Sequence, residues 1–114
     1  MYKRQSYYGT NGINTWMIPY FGKSAYDDPD AYWAASAIKF IKQAKTPTLI
    51  TVGERDIEVP PTQSVEYWNG LKAAGVPTSL VIYPDEGHGI RAPDHVADAR
   101  HRTIEWFDRY LKGQ

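Results

Sequence analysis

The feature that most narrows what this chain can fold into is a strand, a helix and a second strand packed into the 37 residues from Pro47 to Tyr83. Pro47 leads into Thr48-Leu49-Ile50-Thr51-Val52-Gly53, a β-branched and apolar run closed by glycine that reads as a buried parallel strand. From Thr62 to Ala74 the residues Val65, Trp68, Leu71 and Ala74 recur at three-residue steps beside Tyr67. That spacing predicts an amphipathic helix, with Thr62 as its N-cap and Gly75 as its stop. Thr78 to Pro84 reads as the second strand. Two strands joined through a helix at this separation form a right-handed βαβ unit, so they are expected to be parallel neighbours.

The flanks are built around that unit. Pro93 and Asp94 open a long helix whose Val96, Ile104, Phe107, Tyr110 and Leu111 lie roughly on one stripe, expected to pack on the sheet and to end near Gly113. The first third is broken by Gly9, Gly12, Pro19, Gly22 and Pro29 and crowded with aromatic side chains. Within it, Pro29 to Ala37 reads as a helix capped by Asp28. The aromatics Tyr7, Tyr8, Trp16, Tyr20, Phe21, Tyr26, Tyr32 and Trp33 suit either a substrate-pocket wall or internal packing. No repeat, low-complexity tract or linker divides the chain, so residues 1–114 are read as one α/β unit. Residues 1–5 read as a fragment edge or a cloning scar rather than a domain start.

Charge and composition remove several functions. Thirteen Lys and Arg balance thirteen Asp and Glu, with no long run of either sign, which leaves no electrostatic basis for nucleic acid or an anionic membrane surface. The apolar runs are too short to form a bilayer-spanning helix. With no cysteine, disulfides, thiolate-bound zinc and thiol catalysis are excluded from these residues. His95 and His101 stand six positions apart on the last helix, about 600° round its axis, so they do not share a metal-binding face and read as surface histidines.

Chemistry concentrates where open α/β sheets build their sites, in the loops leaving the parallel strands. The first loop is Gly53-Glu54-Arg55-Asp56-Ile57-Glu58-Val59-Pro60 and the second is Glu86-Gly87-His88-Gly89. An aspartate on one exit loop and a glycine-flanked histidine on the next can set a carboxylate against imidazole Nδ1–H and leave Nε2 free, which is two thirds of a nucleophilic triad. The chain order, acid before histidine, is that of α/β-hydrolases. Glu54, Arg55 and Glu58 share the first loop and read as a solvated ionic face.

The run T-P-T-L-I-T-V-G-E-R-D-I-E-V-P, then Gln63, L-K-A-A-G-V-P, V-I-Y-P-D-E-G-H-G and W-F-D-R-Y-L-K-G resembles the C-terminal part of the prolyl oligopeptidase catalytic domain, nearest its acylaminoacyl peptidase and dipeptidyl aminopeptidase branch. The likeness covers the last two thirds closely. Tyr20-Phe21-Gly22 and Asp28-Pro29 extend it loosely over the first third. The resemblance implies an α/β-hydrolase fold and a serine peptidase acting on short peptides or acyl-peptides through an acyl-enzyme, without metal or organic cofactor. It makes Asp56 the triad acid and His88 the triad base. Many relatives carry His-Gly where Val52-Gly53 stands and Ser-Pro where Ser36-Ala37 stands, and neither change touches that pair.

The nucleophile is a different matter. Ser6, Ser24, Ser36, Ser64 and Ser79 all lack the two glycines of G-x-S-x-G, and no H-G-G-type oxyanion loop occurs. Family order places both parts upstream of Met1, so the sequence reads as the acid-and-base portion of a longer serine hydrolase. An esterase or dienelactone-type hydrolase would use the same two residues. A non-catalytic interaction module, or self-association through an exposed sheet edge, stays open beside these readings.

Overall fold

A computed structural model describes residues 2–112. Strand β1 (Thr48–Gly53) and strand β2 (Thr78–Tyr83) pair in parallel, from Thr48 opposite Thr78 to Gly53 opposite Tyr83. The ladder is extended at both ends by Thr48 N–H donating to Pro77 O at 3.0 Å and Glu54 N–H donating to Tyr83 O at 2.9 Å. The expected parallel neighbours are therefore present. Helices α1 (Arg4–Thr10), α2 (Met17–Phe21) and α3 (Pro29–Ala34) precede them, with short 3₁₀ segments at Asn14–Trp16 and Ala37–Gln43. Helix α4 (Pro61–Ala73) connects the strands, and α5 (Pro93–Phe107) follows β2 and continues as a π-type turn over Asp108–Lys112.

Helix α4 buries Leu71 against Ile50 and Val76, with Ile41, Tyr67, Trp68 and Leu80 around them. Its end is a Schellman motif. Gly75 sits at φ +74, Gly75 N–H donates to Lys72 O and Val76 N–H to Leu71 O, both at 3.0 Å, which places Val76 beside Leu71 in the core. The expected stop at Gly75 is thus observed, but Thr62 is not the N-cap. Pro60 occupies that position and Pro61 takes the first helical turn, because proline's fixed φ is already helical and its missing N–H costs nothing there.

The first third has its own core of Tyr7, Met17, Ala25 and Tyr32, packed by Tyr8, Trp16, Phe21 and Val59. Of the expected aromatic cluster, Tyr7 and Tyr32 are fully buried while Tyr20 and Tyr26 remain exposed. Asp28 caps α3 by accepting the Ala31 N–H at 3.1 Å, but the helix stops three residues short of Ala37. The buried Ser36 hydroxyl donates to Tyr32 O at 2.7 Å, taking the carbonyl that a continuing helix would give to the Ser36 N–H. That N–H turns to Trp33 O instead, and the backbone leaves the helix as extended chain.

The stripe expected on α5 is only partly covered. Val96 and Tyr110 are half-buried, whereas Ile104 and Phe107 are about half exposed and Leu111 is 69% exposed. Trp106 touches the sheet end, its indole N–H donating to Pro47 O at 3.4 Å. A two-stranded sheet offers too little apolar face to seat a 15-residue helix, and the π-type turn carries Leu111 off the stripe. Gly113, the expected end of this helix, lies outside the described residues.

Leu71 is the residue on which the sheet-helix contact closes. Leu71→Ala is expected to lower the unfolding free energy by about 2–5 kcal/mol, read from the shift of a urea denaturation midpoint.

Candidate functional site

Both strands end on the same edge of the sheet, so the Gly53–Pro60 and Pro84–Ala92 loops leave side by side. The contact between them requires glycine at position 53. A Cβ there would strike the carbonyl oxygens of Glu86 and Gly87 and lie 2.7 Å from the Glu86 carbonyl carbon. With the side chain absent, Arg55 N–H donates to Glu86 O at 2.8 Å. A turn over Pro84 and Asp85 makes the second loop's entry, with Asp85 in the left-handed region at φ 60, a conformation aspartate tolerates better than most residues.

Asp56 is carried by the first loop and its side chain is only 5% exposed. Oδ1 accepts the backbone N–H groups of Glu58 at 2.9 Å and Val59 at 2.8 Å, which fixes the carboxylate plane. Oδ2 is left for His88, whose Nδ1 lies 2.9 Å away. The two residues singled out from the strand exits are therefore brought together, in the orientation that leaves Nε2 free of any hydrogen bond among the described residues. The His88 side chain is 54% exposed and stands between two open cavities. One, of about 210 Å³, includes Tyr2, Val52, Asp56, Ser64 and Ile90 in its wall, and the other, of about 490 Å³, is lined by Glu58, Asp85, Glu86 and Arg91.

The hydrogen bond to Asp56 raises the His88 pKa above the ordinary histidine value, assisted by the charges of Asp56 and Glu58 and opposed by desolvation. A raised folded value means that the ionised pair contributes its full stabilisation below the ordinary histidine pKa. That contribution is lost as pH rises through the folded value.

Glu86, which the sequence reading assigned no role, is buried beside this pair. Its carboxylate accepts Arg91 N–H at 2.9 Å and Ala92 N–H at 2.8 Å, and lies 2.8 Å from His95 Nδ1. These contacts, the Arg91 N–H first and then His95 and the Ala92 N–H, hold its pKa below the usual carboxylate range. Their stabilisation is present above that range and fades as pH falls through the lowered folded value. A signal for this residue does exist in the sequence: Ala92-Pro93 starts a helix with no side chain of its own to cap it, so the cap must come from elsewhere. Nor is His95 the surface histidine the sequence suggested, since it is bonded to Glu86 and packed 5.2 Å from the Tyr83 ring.

The remaining charges on these loops behave as expected of a solvated face. Arg55 pairs with Asp85 in the open, and Glu54 Oε2 accepts the Asp85 N–H at 3.1 Å. The first third meets the site through Tyr2 in the wall of the smaller cavity, through its core packing on Val59, and through Gly12 N–H donating to Ile57 O at 2.7 Å. Among the described residues no cluster of three or more His, Cys, Asp or Glu is arranged to hold a metal ion.

Comparison with known proteins places the fold. A family model described as "Prolyl oligopeptidase family" matches residues 2–114. The acylamino-acid-releasing enzyme of Sus scrofa is 34% identical over 110 residues, covering 90% of this chain and 15% of that enzyme. Dipeptidyl-peptidase 5 of Porphyromonas endodontalis is 34% identical over 80 residues, covering 70% of this chain and 12% of its own length. Among solved structures, the Pyrococcus horikoshii acylaminoacyl peptidase superposes with a TM-score of 0.85 at 25% identity, over 98% of this chain and 19% of that one. These neighbours are α/β-hydrolase peptidases, and the parallel strands with flanking helices are part of that fold. The chain spans about a seventh of the Sus scrofa enzyme's length.

The close approach at position 53 can be tested by filling it. Gly53→Ala is expected to destabilise the protein by about 1–3 kcal/mol in thermal or chemical denaturation. Because the loops must separate to admit the methyl group, an NMR titration of His88 should also move down toward the ordinary histidine value.

Proposed function

The chain belongs to the prolyl oligopeptidase family of serine peptidases, and from that premise we propose that Asp56 and His88 are the acid and base of its catalytic triad, acting on peptide or acyl-peptide bonds. The observation that carries the reading is the 2.9 Å contact between His88 Nδ1 and Asp56 Oδ2, with the other carboxylate oxygen held by two backbone N–H groups. In the proposed reaction His88 Nε2 takes the proton of a serine hydroxyl as its oxygen attacks the scissile carbonyl. The Asp56 carboxylate holds the imidazole in the tautomer with hydrogen on Nδ1 and stabilises the imidazolium that forms. His88 then passes its proton to the leaving amine. Water then attacks the acyl-enzyme while giving a proton to His88, and His88 returns that proton to the serine oxygen as the acid product leaves.

The serine and the oxyanion donors are supplied by chain outside these 114 residues, since no serine here stands in G-x-S-x-G. The substrate class follows that of the relatives, an acylamino-acid-releasing enzyme and a dipeptidyl-peptidase. Tyr2, in the wall of the cavity beside Asp56 and His88, is placed to meet an apolar substrate side chain.

In the full-length enzyme, Asp56→Asn should lower kcat by about 10³–10⁴-fold while the thermal midpoint moves little. Wild-type turnover in that variant would refute the assignment. With Asp56 intact, the acid limb of kcat/KM should fall above the ordinary histidine pKa of about 6.5, because the base must be neutral and its pKa is raised. The 114-residue chain alone should neither hydrolyse an activated ester above buffer nor take up a fluorophosphonate probe. Stoichiometric labelling would reveal a nucleophile within it.

A further inference from the structure

His88 is held by surprisingly little of its own. Gly87 and Gly89 flank it, its side chain is largely in the open, and its ring makes a hydrogen bond to Asp56 alone among the described residues. A loop with two glycines samples a wide conformational range, and ordering it costs backbone entropy. Some other group must confine it.

Glu86 is in the position to do so. Its backbone carbonyl accepts the N–H of Arg55, the residue before Asp56. Its buried carboxylate accepts the N–H groups of Arg91 and Ala92 at the far end of the loop and meets His95 in the first turn of α5. One residue thus joins the acid loop, both ends of the histidine loop and the following helix. Tyr83 and Asp98 brace the same junction, the phenol donating to the Asp98 carboxylate at 2.9 Å while the ring packs on His95.

We propose that Glu86, with His95, is the positioning residue of the site: it closes the 86–92 loop so that His88 Nδ1 stays against Asp56. The proposal rests on the triad reading above and adds to it the device that keeps the base in register. A role confined to capping α5 would affect stability only. A positioning role also reaches the chemistry, because a displacement of about 1 Å at the base can cost about a hundredfold in rate.

The test is made in the full-length enzyme with an activated ester and a fluorophosphonate probe. Glu86→Gln keeps the side chain's size but replaces one acceptor oxygen by an N–H₂ facing backbone donors. Expected are a kcat lower by about 10–100-fold, KM within about twofold, and a probe reaction slowed in proportion to kcat. The acid limb of kcat/KM should shift down toward the ordinary histidine value as the His88–Asp56 bond loosens. Asp56 and Glu58 remain to act on His88, with Asp85 and Arg91 across the neighbouring cavity, so the shift reports the bond and not the removal of nearby charge alone. Glu86→Asp keeps the carboxylate but shortens its reach by one methylene, and should recover less than half of the loss.

A Glu86→Gln enzyme with a lower thermal midpoint but wild-type kcat and an unmoved acid limb overturns the proposal, provided His88→Ala is inactive. If His88→Ala itself retains wild-type turnover, the triad reading falls first and this inference with it. Should Glu86→Gln fail to accumulate as folded protein, His95→Ala decides. A kcat lower by about three- to tenfold with the acid limb moved the same way supports positioning, and an unchanged profile overturns it.

Discussion

Everything at the functional end of this molecule depends on two backbone segments touching where side chains would normally keep them apart. Gly53 ends β1 directly beneath the Glu86 and Gly87 carbonyl groups, and the missing Cβ is the space they occupy. The parallel ladder delivers both loops to the same sheet edge, but pairing alone would leave them a side chain's width apart. Removing that width lets Arg55 N–H reach Glu86 O, and the loop carrying Asp56 is then locked to the loop carrying His88. The imidazole-carboxylate distance is a consequence of this contact more than a cause of it, since one part-buried hydrogen bond could not order two loops against their entropy.

Two buried carboxylates divide the work around that junction, and each is used in the same way. Asp56 gives one oxygen to the N–H groups of Glu58 and Val59 and the other to His88. Glu86 gives one oxygen to Arg91 N–H, and the other to Ala92 N–H and His95. In both, backbone donors fix the carboxylate before the histidine meets it, so the imidazole is presented with a preset acceptor. Burial would otherwise penalise the charges. The donors offset that penalty, which is visible at Glu86 as a lowered pKa despite its burial.

How much of this was legible in the sequence follows from the range of the forces involved. The strands, α4 and the Gly75 stop are set by local pattern and turn chemistry, and these are where the sequence and the structure agree. The juxtaposition of Asp56 and His88 is legible because parallel neighbours deliver both exit loops to one end of the sheet, and the family resemblance singles out the same two residues. Helix ends were less so. Ser36 ends α3 with a buried side-chain hydrogen bond, and Pro61 displaces Thr62 from the cap, choices settled by burial and proline geometry. Glu86 is less legible, because the partners of its carboxylate lie five to nine residues away across a loop whose path the sequence does not reveal. The α5 stripe misled because periodicity describes a helix's apolar face but not the extent of the surface available to cover it.

That last point bears on which part of α5 matters. Its final turns leave Ile104, Phe107 and Leu111 in the open and meet the sheet chiefly through Trp106 at the strand-entry end, remote in the strand direction from the two exit loops. Its first turn is different in kind. Ala92 N–H and His95 are bound to Glu86, and Asp98 one turn on takes the Tyr83 hydroxyl and pairs with Arg102. The helix is therefore tied at its N-terminal end by several polar contacts to the strand exit, and toward its C-terminal end by the Trp106–Pro47 hydrogen bond. On the proposed positioning role, a change at Ala92 or His95 is transmitted through a single buried carboxylate to the loop that carries His88. The geometry of the site is thus set within the strand exits and one helical turn, and the rest of α5 supplies length and surface.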